Sequence, residues 1–379
     1  MIEYRLNGPV SQERQRIRLM AALRENRFPQ AILIDGPAGI GKKALAIEIA
    51  KALQCSNENL RPCGCCFGCK MAADPGVTDN WVIPLESKEA HARSSDDVSA
   101  GSTAKTVEDF KRAYIDEIFK NPYRTDIFGA GAEISVDLIR NMTKSFALKG
   151  DRVRVVIVAE ADRMNDSAAN AFLKTLEEVP PNTYFILTTS SRERLLQTIR
   201  SRCLALHLLP LTDAEVRKET VKLLGEDGDE ESVTDDVVGL AVGSAGKALY
   251  YVDHAAAWCN LAKSFVEKSL SGDYSELFSE LAETDMADST DVGRAESGYF
   301  LEVLSFLLAD LLRKESGATL RLPATTNAVD LERFPRVDAA ALERAVVTVQ
   351  ETMSRIASRR TGAMMCLQSL AIKLFEGYK

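Results

Sequence analysis

Gly36-Pro37-Ala38-Gly39-Ile40-Gly41-Lys42-Lys43 stands between an apolar run, Ala31-Ile32-Leu33-Ile34, and a segment rich in Ala, Leu, Ile and Lys over residues 44–53. The run reads as a buried strand and the segment as a helix, so the glycines sit in a strand–turn–helix unit. This is the context of a phosphate-binding loop. Glycines let backbone N–H groups curl around phosphate oxygens, and the helix N-terminus adds positive potential. The candidate contacts are Gly36, Gly39, Gly41, Lys42 and Lys43, with Lys42 reaching the β- and γ-phosphates. The last position of such a loop is a Ser or Thr whose hydroxyl ligates Mg²⁺. Here it is Lys43, an ammonium, so Mg²⁺ is not expected. Two readings stay open at this point: a loop kept for its fold alone, or one that binds ATP or ADP without hydrolysing it.

Three further strands are expected over residues 153–158, 184–189 and 204–208. Between the first two, Ala169, Phe172, Leu173 and Leu176 recur at helical spacing after Asn165-Asp166-Ser167, a set of good N-caps. Strands alternating with helices predict an α/β domain with a parallel sheet. An ATPase built on such a sheet ends the second strand in Asp-Glu, one carboxylate for the metal and one for the attacking water. This strand ends in Ala159-Glu160, so the metal-holding carboxylate is missing too.

Residues 86–106 have almost no large apolar groups and read as a flexible insert, followed by an amphipathic helix marked by Val107, Phe110, Tyr114 and Ile118. After Pro210 the strand signals fade and helices are expected, with turns near Gly225–Asp229 and Gly317–Asn327. The resulting division is an α/β domain over 1–209, a small helical domain over 210–268 and a larger all-α domain over 269–379.

Of the 8 cysteines, five lie between positions 55 and 69. Two residues separate Cys63 from Cys66, and two separate Cys66 from Cys69. Four thiolates at such spacings suit a closed, structural Zn²⁺ site, and Cys55, Cys63, Cys66 and Cys69 are the predicted ligands. Cys65 is left out because adjacent cysteines seldom both point at one metal. Cys203, Cys259 and Cys366 stand alone and are expected in cores. No run of about 18 apolar residues and no signal peptide are read, so a cytoplasmic protein without a membrane span is expected. The net charge is -8, and a chain that grips DNA phosphates by itself is usually basic.

These pieces, in this order, resemble the bacterial clamp-loader subunits of the AAA+ class that serve DNA polymerase III in DNA replication. Asn170-Ala171-Phe172-Leu173-Lys174-Thr175-Leu176-Glu177-Glu178-Val179-Pro180 and Ser201-Arg202-Cys203 are similar to two of the family's motifs. The resemblance covers roughly residues 6–250. It implies an AAA+ P-loop domain with an inserted zinc module (55–69), a helical lid (210–268) and a helical collar (269–379). Motor subunits of the family keep both the P-loop hydroxyl and the Asp-Glu pair. This chain is similar to the member that has lost them but keeps Ser-Arg-Cys. By resemblance it would join motor subunits and a delta subunit in a five-membered ring, with the sliding clamp and primed DNA as partners of the whole complex. Arg202 would serve a neighbour's ATP as a trans arginine finger. Thr189 matches the family's polar sensor and Lys247 its basic one. Residues 86–132 exceed the family's usual linker, so the resemblance gives them no role. Two alternatives are an active ATPase motor subunit, against which Lys43 and Ala159 argue, and a zinc-dependent nucleic-acid-binding module, against which the acidic charge argues.

Overall fold

The computed structural model describes all residues except 1, 7, 10–11, 91–104, 126, 130, 147–151, 226–228, 289–290, 335–336, 358–361 and 377–379. They form two compact units, one of residues 1–215 with 243–246, the other of 216–242 with 247–379.

The strands of the first unit are β1 (Glu3–Tyr4), β2 (Ala31–Asp35), β3 (Leu60–Arg61), β4 (Trp81–Val82), β5 (Arg154–Val158), β6 (Thr183–Thr189) and β7 (Leu204–His207). A five-stranded sheet runs in the order β4-β5-β6-β2-β7 with every pair parallel. β1 and β3 pair separately. Helices α1 (Glu13–Arg24), α2 (Lys42–Gln54), α3 (Phe67–Ala72), α4 (Ser87–Ala90), α5 (Val107–Lys120), α6 (Val136–Ser145), α7 (Asp166–Glu177) and α8 (Gln197–Arg200) complete it.

A strand buried on both faces has no reason to alternate, and β2 is buried at every residue. One core beside the sheet gathers Ile139 and Met142 of α6, Phe172 and Leu176 of α7, and Val156, Phe185 and Leu187. Phe172 meets Phe185 edge to face at 5.4 Å between ring centres. Because the strands are parallel, the loops after β2, β5 and β6 leave the same edge of the sheet, with Asp35 opposite Thr189. In open parallel sheets that edge is where ligands bind.

Some expectations need correction. The two-residue strands β1, β3 and β4 are too short to carry a periodic signal. Residues 91–104 of the expected flexible insert lie outside the described residues, but 87–90 form α4. There Glu89 is buried, and the Tyr114 hydroxyl lies 3.2 Å from both of its carboxylate oxygens. α5 opens at a capping box in which the Asp109 N–H donates to Thr106 Oγ1 and the Thr106 N–H to Asp109 Oδ2. Its fully buried residues are Ile115 and Ile118, and Val107, Phe110 and Tyr114 of the expected stripe are half-buried.

The second unit holds no strand among its described residues. It takes in most of α9 (Asp213–Leu224) and of α11 (Ala245–Ser271), with α10 (Asp235–Ala241), α12 (Tyr274–Ala282), α13 (Asp291–Ser316), α14 (Pro323–Ala328), α15 (Ala339–Ala357) and α16 (Ala363–Lys373). The turn expected over 317–327 is partly a helix: the chain reverses at Gly317, then Pro323 opens α14 at a position where its missing N–H costs nothing. Cys203, Cys259 and Cys366 are buried. Among the described residues no helix is long and apolar enough to cross a membrane.

Candidate nucleotide loop, interface arginine and metal centre

The loop after β2 takes the conformation that its glycines permit. Gly36, Gly39 and Gly41 have φ of 150°, 72° and 98°, a region that strains L side chains. Space closes the same positions. A Cβ on Gly41 would lie 2.8 Å from Tyr123 Cε1, and one on Gly39 would lie 3.1 Å from Thr125 Cγ2.

Both lysines that follow are buried. The Lys42 ammonium turns back on its own loop and donates to the Gly36 carbonyl (2.8 Å), the Pro37 carbonyl (2.6 Å) and Ser190 Oγ (2.8 Å). Burial, with the neighbouring charge of Lys43, pushes its pKa down to about 8. The Lys43 ammonium donates to the Arg124 carbonyl at 2.8 Å and stands 5.8 Å from the Phe128 ring centre. The glycine loop also meets residues 243–246: Ser244 Oγ donates to the Ala38 carbonyl (2.8 Å) and the Gly246 N–H to the Gly39 carbonyl (3.0 Å).

Ala159, at the end of β5, is fully buried and offers no ligand. Glu160 has φ 49°, and its carboxylate is held 2.7 Å from Arg163 Nε. Thr189 is fully buried, and its hydroxyl donates to Asp162 Oδ1 at 2.6 Å. A magnesium nucleotide needs a hydroxyl at position 43 and a carboxylate at 159. The chain supplies an ammonium tied to a carbonyl and a methyl group, so these residues do not fit one.

Sequence reasoning missed four participants. Asp162 and Ser190 anchor Thr189 and Lys42, and both lie close in sequence to residues already singled out. Asp35 Oδ2 meets His207 Nδ1 at 2.8 Å, a pairing set by the β2–β7 register. The fourth, Tyr123 to Thr125 with Phe128 against the loop and Lys43, carried no local signal.

Arg202 follows α8 and leads into β7, with its side chain 37% exposed. Its Nη1 donates to the Thr198 carbonyl (3.1 Å) and its Nη2 to Glu177 Oε1 (2.7 Å). The two motifs noted in the sequence therefore meet through one ion pair. Lys247, in the second unit, pairs with Glu302.

The Sγ atoms of Cys55, Cys63, Cys66 and Cys69 all lie within 4.8 Å of one another. Cys55 and Cys66 are 3.7 Å apart, against about 3.8 Å for sulfurs placed tetrahedrally at about 2.3 Å from an ion. Backbone N–H groups of Cys63, Cys66 and Cys69 donate to the sulfurs of Cys55, Cys63 and Cys66, each at 3.4 Å. The last of these bonds pulls the Cys66 pKa down to about 5, toward the thiolate that binds metal. Cys65 is exposed and stands 3.6 Å from Cys63 alone of the set. The donor set fits a tetrahedral, thiophilic metal ion.

A fold with this sheet and loop, carrying this cysteine module and the Ser-Arg-Cys corner, belongs to a recognisable class. The family model described as "DNA polymerase III, delta subunit" matches residues 11–212, more than half of the chain. The chain belongs to this family of clamp-loader AAA+ proteins. Its relatives include the DNA polymerase III subunit delta' of Escherichia coli, 27% identical over 311 residues, which cover 79% of this chain and 75% of that protein. Also similar is subunit tau/gamma of Haemophilus influenzae, 28% identical over 251 residues; these cover 65% of this chain but only 30% of that protein. Among solved structures, a DNA polymerase III gamma subunit-related protein from Thermotoga maritima aligns over 95% of this chain and 99% of its own, at 14% identity and a TM-score of 0.45. A likeness that slight bears on no residue's role.

Proposed function

We propose that the chain is a delta'-type, non-hydrolysing subunit of a DNA polymerase III clamp loader, helping to load a sliding clamp on primed DNA. One observation carries this reading. At the position of the metal-ligating hydroxyl, Lys43 is bound to the Arg124 carbonyl, and the partner carboxylate is replaced by buried Ala159. The partners would be motor subunits and a delta subunit in a five-membered ring, with residues 210–268 as its lid and 269–379 as its collar. The metal held by the four cysteines is zinc, with a structural role: four thiolates leave no open position for chemistry.

Arg202 supplies the trans contribution. Its guanidinium, aimed by Glu177 and the Thr198 carbonyl, would stabilise charge that builds on a neighbour's ATP during hydrolysis. An arginine of this kind is worth about 10³–10⁵ in rate at the site it serves. In reconstituted complexes with DNA and clamp, Arg202→Ala should assemble normally and lose part of the steady-state ATPase, since other motor sites keep their own arginines. Arg202→Lys should rescue poorly, lacking the planar fork. Wild-type ATPase and clamp loading by the Ala complex would make Arg202 an ordinary surface residue.

The motor-subunit reading has one observation in its favour: tau and tau/gamma subunits are as similar in sequence as delta' subunits are. Percentage identity does not separate the two, whereas Lys43 and Ala159 argue for the first.

A further inference from the structure

Residues 121–125 and 127–129 follow α5, and Tyr123 and Thr125 lie against the glycine loop. Tyr123, Ile127 and Phe128 are buried. Tyr123 stands over Gly41, Thr125 over Gly39, and the Arg124 carbonyl accepts from the Lys43 ammonium. The Phe128 ring faces the same ammonium. Arg124 is tied in turn to Glu117 of α5 at 2.9 Å, which fixes the stretch to a regular element. Gly246 also approaches the Tyr123 carbonyl so closely that a Cβ there would overlap it.

We infer that residues 121–125 and 127–129 are a built-in plug: they fill the face of the loop that a nucleotide phosphate would need, and Lys43 is their anchor. This deepens the non-hydrolysing reading, because the loop then binds a segment of its own chain and no nucleotide at all. The chemistry is consistent on both sides. A phosphate at the loop would need the Lys42 ammonium and open backbone N–H groups. Lys42 instead has two carbonyls and a hydroxyl as partners. An ammonium at position 43 would lose a charge-assisted hydrogen bond if the segment left, so closure is favoured.

Hydrogen exchange on the full chain with its metal tests the plug. Amides of 39–43 and 123–128 should exchange slowly without nucleotide, and millimolar Mg²⁺–ATP should leave their rates unchanged. Slower exchange at 39–43 on adding ATP would overturn the plug; if the chain still did not hydrolyse that ATP, the non-hydrolysing reading would survive. Lys43→Thr should speed exchange at 123–128 by about tenfold or more, as expected for the loss of one charge-assisted hydrogen bond, while 154–158 keep their rates. Lys43→Arg, which can still donate, should stay near wild type. If Lys43→Thr unfolds the unit, visible as fast exchange at 154–158, Tyr123→Gly with Thr125→Gly replaces it. That pair should expose 39–43 while 154–158 stay protected. Unchanged rates at 39–43 in a folded double variant would overturn the proposal.

Discussion

The glycine loop and the cysteine module lie in the same unit, and both announce themselves in the sequence by residue type and spacing. They differ in what fills them. In the module, every predicted ligand turns inward, and the sulfurs converge at the separations that an ion requires. At the loop, the glycines adopt the expected backbone, yet the groups around them are already partnered by the chain itself. Spacing was a sufficient guide where all the contacts are local. It was insufficient where the decisive contact, Lys43 to Arg124, spans 81 positions.

The comparison can be broken first at the module. Cys66→Ser should abolish metal binding and loosen residues 55–72, because a structural thiolate site supplies on the order of 10 kcal/mol of apparent binding free energy at neutral pH. Cys65→Ser should retain the metal. Elemental analysis of protein purified without chelator checks both, and the opposite pattern would assign the wrong cysteine to the set.

A smaller effect separates a loop kept for structure from one kept for nucleotide. Lys42→Met removes three hydrogen bonds from a buried ammonium and leaves their acceptors without it. Denaturant unfolding should report a loss of about 1–3 kcal/mol, with no nucleotide-dependent part. If the wild type alone gains stability when ATP is added, the loop holds nucleotide and the contrast with the module disappears.

The smallest effect concerns the pair between the two motifs. Glu177→Gln weakens a half-exposed ion pair and should change stability by less than about 1 kcal/mol. In the reconstituted complex it should lower ATPase less than Arg202→Ala does, because Glu177 only aims the guanidinium. A loss as large as that of the Arg202 variant would show that Glu177 does more than aim it.

How far the sequence could be read follows from the same distinction. β2, β5 and β6 were legible because a strand buried on both faces is a continuous apolar run. α7 was legible because Phe172 and Leu176 recur at helical spacing behind the Asn165 cap. The four metal ligands were legible from two Cys-x-x-Cys spacings and one earlier cysteine. The two-residue strands were not, since β1 and β3 exist only through pairing with each other. Nor was α14, whose Pro323 reads equally as a turn. Residues 121–125 and 127–129 carried no local signal. Their place against the loop rests on distant contacts such as Lys43 to Arg124, which no local pattern encodes.

The most direct test of the account is Mg²⁺-dependent ATP hydrolysis by the purified chain alone. The account predicts none above background, and none in Lys43→Thr either, because Ala159 still leaves the metal without its carboxylate. Turnover by the wild-type chain that Lys42→Ala abolishes would contradict it and would make the chain a motor subunit.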